Sequence, residues 1–204
     1  MTNPQLPAAH SVDVVFPLLG CSLPRDHALA LQQALCAELP WLSDDPASGI
    51  HPIKLAPGTD QTGLLSKRSC VVLRVNRPRS DHLMALSGIE LTLSGHRLTL
   101  GAAHRRELSA HATLYAYKVA ATGTDEIDFM TGLAHNLANL GIGAERVCGK
   151  RQSMVLASGE LSTFSLMLHG LSAEQSIRLQ ECGVGPHRLL GCGIFVGHKS
   201  AAAV

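Results

Sequence analysis

The apolar positions of the chain follow two rhythms, and their alternation predicts the order of elements. Val12 to Gly20 (VDVVFPLLG) is an apolar, β-branched run of strand length, ended by Gly20 and a turn through Leu23-Pro24. From Pro24 to Leu39 the spacing becomes helical: Ala28, Leu31, Ala34 and Leu35 share a face, Asp26 sits in the first turn, and Pro40 stops the pattern. Ile50 to Leu55 and Ser69 to Asn76 (SCVVLRVN) are the next strand candidates, and they fit a hairpin. Between them Ala56 to Lys67, rich in Gly, Pro, Asp and Thr, reads as a flexible loop. Pro78 to Leu86 is a short helix closed by Gly88, and Leu91, Leu93, Leu98 and Leu100 follow in strand-like alternation.

The same order then recurs. Ala112 to Ala121 (ATLYAYKVAA) predicts a strand, and Asp125 to Leu140 a helix with Ile127, Met130, Leu133, Ala134 and Leu137 on one side and Gly141 as its cap. Two strands lie within Glu145 to His169. Ser172 is a helix N-cap with Glu174 and Gln175 in the first turn, the helix runs to about Cys182, and Ile194 to Val196 supplies a last strand. Two β-α-β-β-α-β units account for almost the whole chain, which makes the expected class α+β with tandem ferredoxin-like units. The expected halves are 1–106 and 107–204, joined near Ala102 to His111, with a Gly-rich loop in the second.

Composition narrows the functional classes. With 46% hydrophobic residues in 204, the chain can bury a sizeable core. No run of about 18 apolar residues is present to span a bilayer. Met1 to His10 has no basic region followed by a long apolar stretch, so no secretory signal and a cytoplasmic location are expected. Six cysteines lie far apart without a C-x-x-C pair and read as reduced structural thiols. Cys182, His187, Cys192 and His198 match no common zinc spacing, and neither metal nor cofactor is expected.

Net charge is +1, which argues against coating nucleic acid through bulk charge, but the distribution is uneven. Residues 1–66 carry two Lys/Arg against six Asp/Glu, whereas residues 67–106 carry eight against two. Lys67, Arg68 and Arg74, with Lys150 and Arg151 in the second half, are therefore candidate contacts to an RNA backbone. Tyr115 and Tyr117 alternate along a strand and so share a face, where one of them can stack on a base. Before the last strand stands GVGPHRLLGCGIF, with Gly183, Gly185, Gly191 and Gly193 around His187 and Arg188. Glycines let a backbone approach a ligand closely, so this loop is a candidate phosphate clamp, with N–H groups for the oxygens and Arg188 for the charge.

Tandem ferredoxin-like units with a Gly-rich loop before the last strand resemble the repeat-associated RNA-binding superfamily of CRISPR systems. The text GLSAEQSIRLQECGVGPHRLLGCGIFVGHK is similar to the C-terminus of the Cas6 family. VFPLLGCSLPRDHALALQQAL, GIHPI at Gly49 to Ile53, LSGIELTLSGHRLTLG and ATLYAYKV also resemble its Cmx6-type branch, so the resemblance spans nearly the entire chain. It implies a metal-independent endoribonuclease that cuts precursor CRISPR RNA within each repeat, leaves a 2′,3′-cyclic phosphate, and often stays with its product and other subunits in an effector complex. For site residues it implies a catalytic histidine at His27, in Pro24-Arg25-Asp26-His27 at the start of the first helix, or at His51, with Lys54 nearby. Leu29 stands where this branch has a tyrosine two positions after the histidine, and Pro186 to Leu190 is less basic than the related pattern. Two other readings stay open: a non-catalytic RNA-binding subunit of a CRISPR ribonucleoprotein, and a ferredoxin-like protein-interaction domain.

Overall fold

The computed structural model describes residues 9–156 and 158–198. Most of Met1–His10, read above for a secretory signal, and Lys199 of the C-terminal motif lie outside them. The chain runs β1 (Ser11–Leu19), β2 (Ser22–Pro24), α1 (Ala28–Glu38), β3 (Gly49–Ile50), β4 (Thr62–Leu64), β5 (Cys70–Asn76), α2 (Ser80–Met84), β6 (Glu90–Leu93), β7 (His96–Leu100) and β8 (His104–Glu107). It continues with β9 (Thr113–Ala120), α3 (Glu126–Asn139), β10 (Glu145–Leu156), β11 (Gly159–His169), α4 (Ala173–Cys182) and β12 (Val196–Gly197).

Strand order gives the architecture. The first sheet runs β3-β5-β1-β7-β6, and the second runs β10-β11-β9-β12. Numbered within each repeat, both follow second, third, first, fourth, with antiparallel neighbours. That is the ferredoxin-like arrangement in tandem, as the periodicity predicts. Helix caps agree with the sequence signals. Asp125 accepts from the N–H groups of Ile127 and Asp128 at the start of α3, and Ser172 with Gln175 forms a capping box at the start of α4.

Three details differ from expectation. The first helix begins at Ala28 rather than Pro24, because Ser22–Pro24 pairs with Thr62–Leu64 as a small ribbon. For the same reason Ala56–Lys67 is not a free loop: its middle is hydrogen-bonded to the segment entering α1. The join between the halves carries a strand, β8, in which Val12–Val15 of β1 pair with His104–Glu107. Polar residues in that strand hide it from a hydrophobicity pattern.

Alternation along β1 and β5 decides what each face does. Val14, Phe16 and Leu18, with Val71, Leu73 and Val75, point to the first core beneath α1 and α2. Asp13 and Arg74 are direct cross-strand partners on the opposite face. Arg74 is only 1% exposed, and its Nε donates to Asp13 Oδ1 at 2.8 Å. Its Nη1 crosses to the second half, donating to the carbonyls of Gln180 at 3.0 Å and Phe195 at 2.9 Å. Arg106 of β8 also donates to Asp13, at 2.9 Å. Burial raises the Asp13 carboxyl, but the His51 contact and the Arg74 charge outweigh it and hold the group well below the usual carboxylate range.

A buried arginine that loses its carboxylate is left uncompensated in a low-dielectric interior. Asp13→Asn is therefore expected to cost about 3–5 kcal/mol. Adding Arg74→Met to that variant should recover a large part of the loss. Urea unfolding of the two single variants and the double variant tests this; additive losses would show that the pair is not coupled.

Candidate functional site

His27 is the N-cap residue of α1, and its side chain does not cap the helix. Its Nδ1 lies 2.8 Å from the Pro24 carbonyl oxygen. A carbonyl only accepts, so Nδ1 carries the proton and Nε2 is left with its lone pair. Burial lowers the imidazole below its ordinary pKa, and the charge of Lys118 pushes the same way, against the Pro24 hydrogen bond. The ring is thus a neutral base beside a helix N-terminus, where the partial positive charge of the first turn favours a bound phosphate.

His27 and His51 line one cleft of roughly 500 Å³, together with Arg25, Lys54, Tyr117 and Lys118. Both expected histidines are thus brought together, in different settings. His51 turns Nε2 toward Asp13 Oδ1, at 3.3 Å, behind the ion pair to Arg74. Burial lowers its pKa too, and the charges of Arg74 and Arg106 add to this against the attraction of Asp13. A second cleft of roughly 560 Å³ opens on the other side of His51, Lys54 and Tyr117, and is lined by Arg68, Arg106 and His111 among others.

Lys118 and Tyr117 reach the site through a β-bulge. In the β9–β11 register Val119 pairs with Phe164 and Ala116 with Leu166, so Tyr117 and Lys118 together oppose the single residue Ser165. The bulge breaks the alternation that would have sent Lys118 into the core beside Ala116 and Leu114, and both side chains line the cleft. On the other side of β11 the same residue faces a second bulge, since β10 shifts register between Cys148 and Arg151. A Cβ on Gly149 would come within 2.4 Å of Ser165 Oγ, so a side chain there would have to push the serine hydroxyl aside. Lys118 is absent from the sequence-derived candidates; its only signal is a cation at an inward-reading position of a strand.

The Gly-rich loop is built differently from the expected phosphate clamp. The N–H groups of Gly183, Gly191 and Gly193 donate to the carbonyls of Leu179, Arg188 and Lys118. Arg188 is 7% exposed, packs against Gly183, and donates to the Ala47 carbonyl at 3.1 Å. Burial and the Arg74 charge push its pKa down to about 10. The loop's glycines serve close packing: at Gly193, with φ +64°, a Cβ would fall 2.0 Å from the Val184 carbonyl oxygen. Arg74 likewise is no RNA contact: its guanidinium is buried between the halves and bonded there. Gly185, His187, Lys67, Arg68, Lys150 and Arg151 are exposed, the last two on the edge strand β10. Lys67, Lys150 and Arg151 do not line the cleft of the two histidines.

Among the described residues no cluster of three or more His, Cys, Asp or Glu side chains comes together as a metal site, and no helix is long and apolar enough to cross a membrane.

The architecture is shared with known proteins. A solved structure described as CRISPR associated protein Cas6 matches with a TM-score of 0.67 at 10% identity, covering 93% of this chain and 100% of that one. A second, described as a RAMP protein binding different RNA substrates, matches at 0.63 with 13% identity, covering 90% and 98%. These likenesses place the fold in the class of tandem ferredoxin-like proteins to which those two belong. The sequence itself goes further: a family model described as Cas6 Crispr matches residues 12–200. The CRISPR-associated endonuclease Cas6 of Myxococcus xanthus is 34% identical over 194 residues, covering 95% of this chain and 84% of that protein. The chain belongs to the Cas6 family.

Gly193→Ala separates packing from phosphate binding in the loop. It is expected to destabilise the protein by at least about 1–3 kcal/mol through backbone strain and steric overlap. An unchanged melting temperature together with weaker RNA binding would restore the phosphate-clamp role.

Proposed function

We propose that this protein is an endoribonuclease that cuts precursor CRISPR RNA within its repeats, with His27 as the base. Membership of the Cas6 family supports the substrate. The observation that carries the chemistry is His27 itself: Nδ1 bonded to the Pro24 carbonyl, Nε2 basic, beside Lys118 at the N-terminus of α1.

In this reading Nε2 of His27 takes the proton of a ribose 2′-hydroxyl. The 2′-oxygen attacks the adjacent phosphorus, the bond to the 5′-oxygen breaks, and the products are a 2′,3′-cyclic phosphate and a 5′-hydroxyl end. Lys118 opposes the negative charge that grows on the non-bridging oxygens. The leaving 5′-oxygen takes a proton from that ammonium or from solvent. His51, turned toward Asp13, serves as a positioning residue in the floor of the cleft. Arg68, Arg106 and Lys54 in the neighbouring cleft, with Lys67, Lys150, Arg151, Gly185 and His187 farther out, are surfaces for the RNA backbone. Retention of the product together with other effector subunits belongs to the same proposal.

His27→Ala is expected to reduce single-turnover cutting of the repeat encoded beside the gene by about 10²–10⁴-fold, with binding kept. His51→Ala should lose less. A base must be unprotonated, so activity should rise with pH through a midpoint below the ordinary histidine value of 6.5 and then level off. Cutting should persist in EDTA, and a 2′-deoxy nucleotide at the cut should abolish it. Unimpaired cutting by His27→Ala removes the assignment; tight binding by the wild type without cutting indicates an RNA-binding subunit instead.

A further inference from the structure

Cleavage by a neighbouring 2′-hydroxyl has a geometric demand. The attacking oxygen, the phosphorus and the 5′-oxygen must approach a line, and regular A-form stacking does not place them so. The nucleotide at the cut must be unstacked from its neighbour, and its base then needs another surface.

The protein offers few such surfaces. All four phenylalanines are buried, at 0–7% exposure. Trp41, partly buried between Arg79 and His82, lines neither of the two clefts. Tyr115 is only partly exposed. Tyr117, at 39%, is the most open aromatic side chain among the described residues, histidines aside.

Its placement is specific. Alternation from Tyr115 puts it on the outward face of β9, in the wall shared by the two clefts, next to the bulged Lys118 in sequence and beside His51 and Lys54. Tyr115 buttresses it in a T-shaped contact, with ring centroids 4.9 Å apart and planes at 89°. Gln152 donates to its carbonyl at 3.2 Å, which fixes the bulged backbone. Lys54 holds its Nζ over the ring at 5.6 Å, on a long flexible stem. A cation poised over a ring is easily drawn to an entering phosphate, and its departure opens the face.

We infer that Tyr117 is the stacking platform for the nucleobase flanking the scissile phosphate, with Lys54 swinging from the ring to the RNA backbone as the base arrives. This rests on the cleavage reading above and adds to it a residue that selects an unpaired base at the cut. Stacking is tolerant of base identity, and purines, with the larger overlap, should be favoured.

The test uses the full chain and a repeat RNA made uncleavable by a 2′-deoxy substitution at the cut, with 2-aminopurine placed in turn on each side of it. Wild type and Tyr117→Phe should quench the fluorescence at one of the two positions. Tyr117→Leu, which fills the space without stacking, should not. On cleavable RNA, Tyr117→Leu should lower kcat about ten-fold or more. Melting temperatures of both variants report whether the fold is intact. Equal quenching by Tyr117→Leu and wild type, or no quenching at either position, overturns the inference. Loss of cutting in His27→Ala with quenching intact supports both assignments. Persistent cutting in that variant sinks only the choice of base. Failure of the wild type to bind the repeat overturns both.

Discussion

Arg74 is the joint on which the molecule turns. Its guanidinium stands at the back of the first sheet, pairs with Asp13 across the strands, and reaches the carbonyls of Gln180 at the end of α4 and Phe195 before β12. Those carbonyls flank the Gly-rich loop. Together with Arg188, which donates to the Ala47 carbonyl, Arg74 ties the loop to the first half and, through Asp13, sets what His51 faces. Such an arrangement is costly in desolvation and stable only when every partner is present. The position of α4 and of the 183–193 loop relative to the cleft follows from these bonds together with that of Ser11 N–H to Glu181.

The cleft also depends on the shape of β9. A regular strand would alternate through Leu114, Ala116 and Lys118, burying the lysine. Instead the strand takes an extra residue opposite Ser165, and both Tyr117 and Lys118 come to the surface of the cleft. The extra residue is stabilised from several sides: Gly193 donates to the Lys118 carbonyl at 2.8 Å and Gln152 to that of Tyr117. The loop that resembles a phosphate clamp in sequence thus acts on the site indirectly, by holding the backbone that presents a cation.

Much of this was legible in the sequence, for reasons that also explain the rest. The cores of both halves rest on long apolar runs with clear periods, so Val12–Gly20, Ala112–Ala121 and the helix after Asp125 lie close to where periodicity puts them. Helix ends marked by Asp125, Gly141 and Ser172 follow from local chemistry. What escaped is what periodicity cannot carry. β8 has only polar residues, and the two short strands at Ser22–Pro24 and Thr62–Leu64 are held by backbone hydrogen bonds across a long loop. The bulge at Tyr117–Lys118 breaks the very alternation from which a strand is read. For the site, His27 and His51 emerged from the family resemblance, and the fold brings them to one cleft. Arg74 and Arg188 looked like solvent-facing cations because a buried arginine and an exposed one are the same letter; only the tertiary partners distinguish them.

A chain with net charge +1 has little bulk attraction for a polyanion, so its affinity must come from placement. The first 66 residues are acidic on balance, yet they supply His27, His51, Arg25 and Lys54, and further cations around these come from elsewhere: Arg68 before β5, Arg106 from β8, Lys118 from the bulge. Each belongs to a separate segment fixed within its own half, Arg68 beside Ser66, Arg106 in β8 against β1 and Lys118 under Gly193, rather than to a continuous basic stripe. Nonspecific binding through such a surface should be weak and easily screened by salt, whereas an RNA bent to fit the cleft meets several charges at once. On the proposed function, selectivity for a shaped RNA then follows from the tandem fold itself, because residues of both halves line the clefts around His51 and Tyr117.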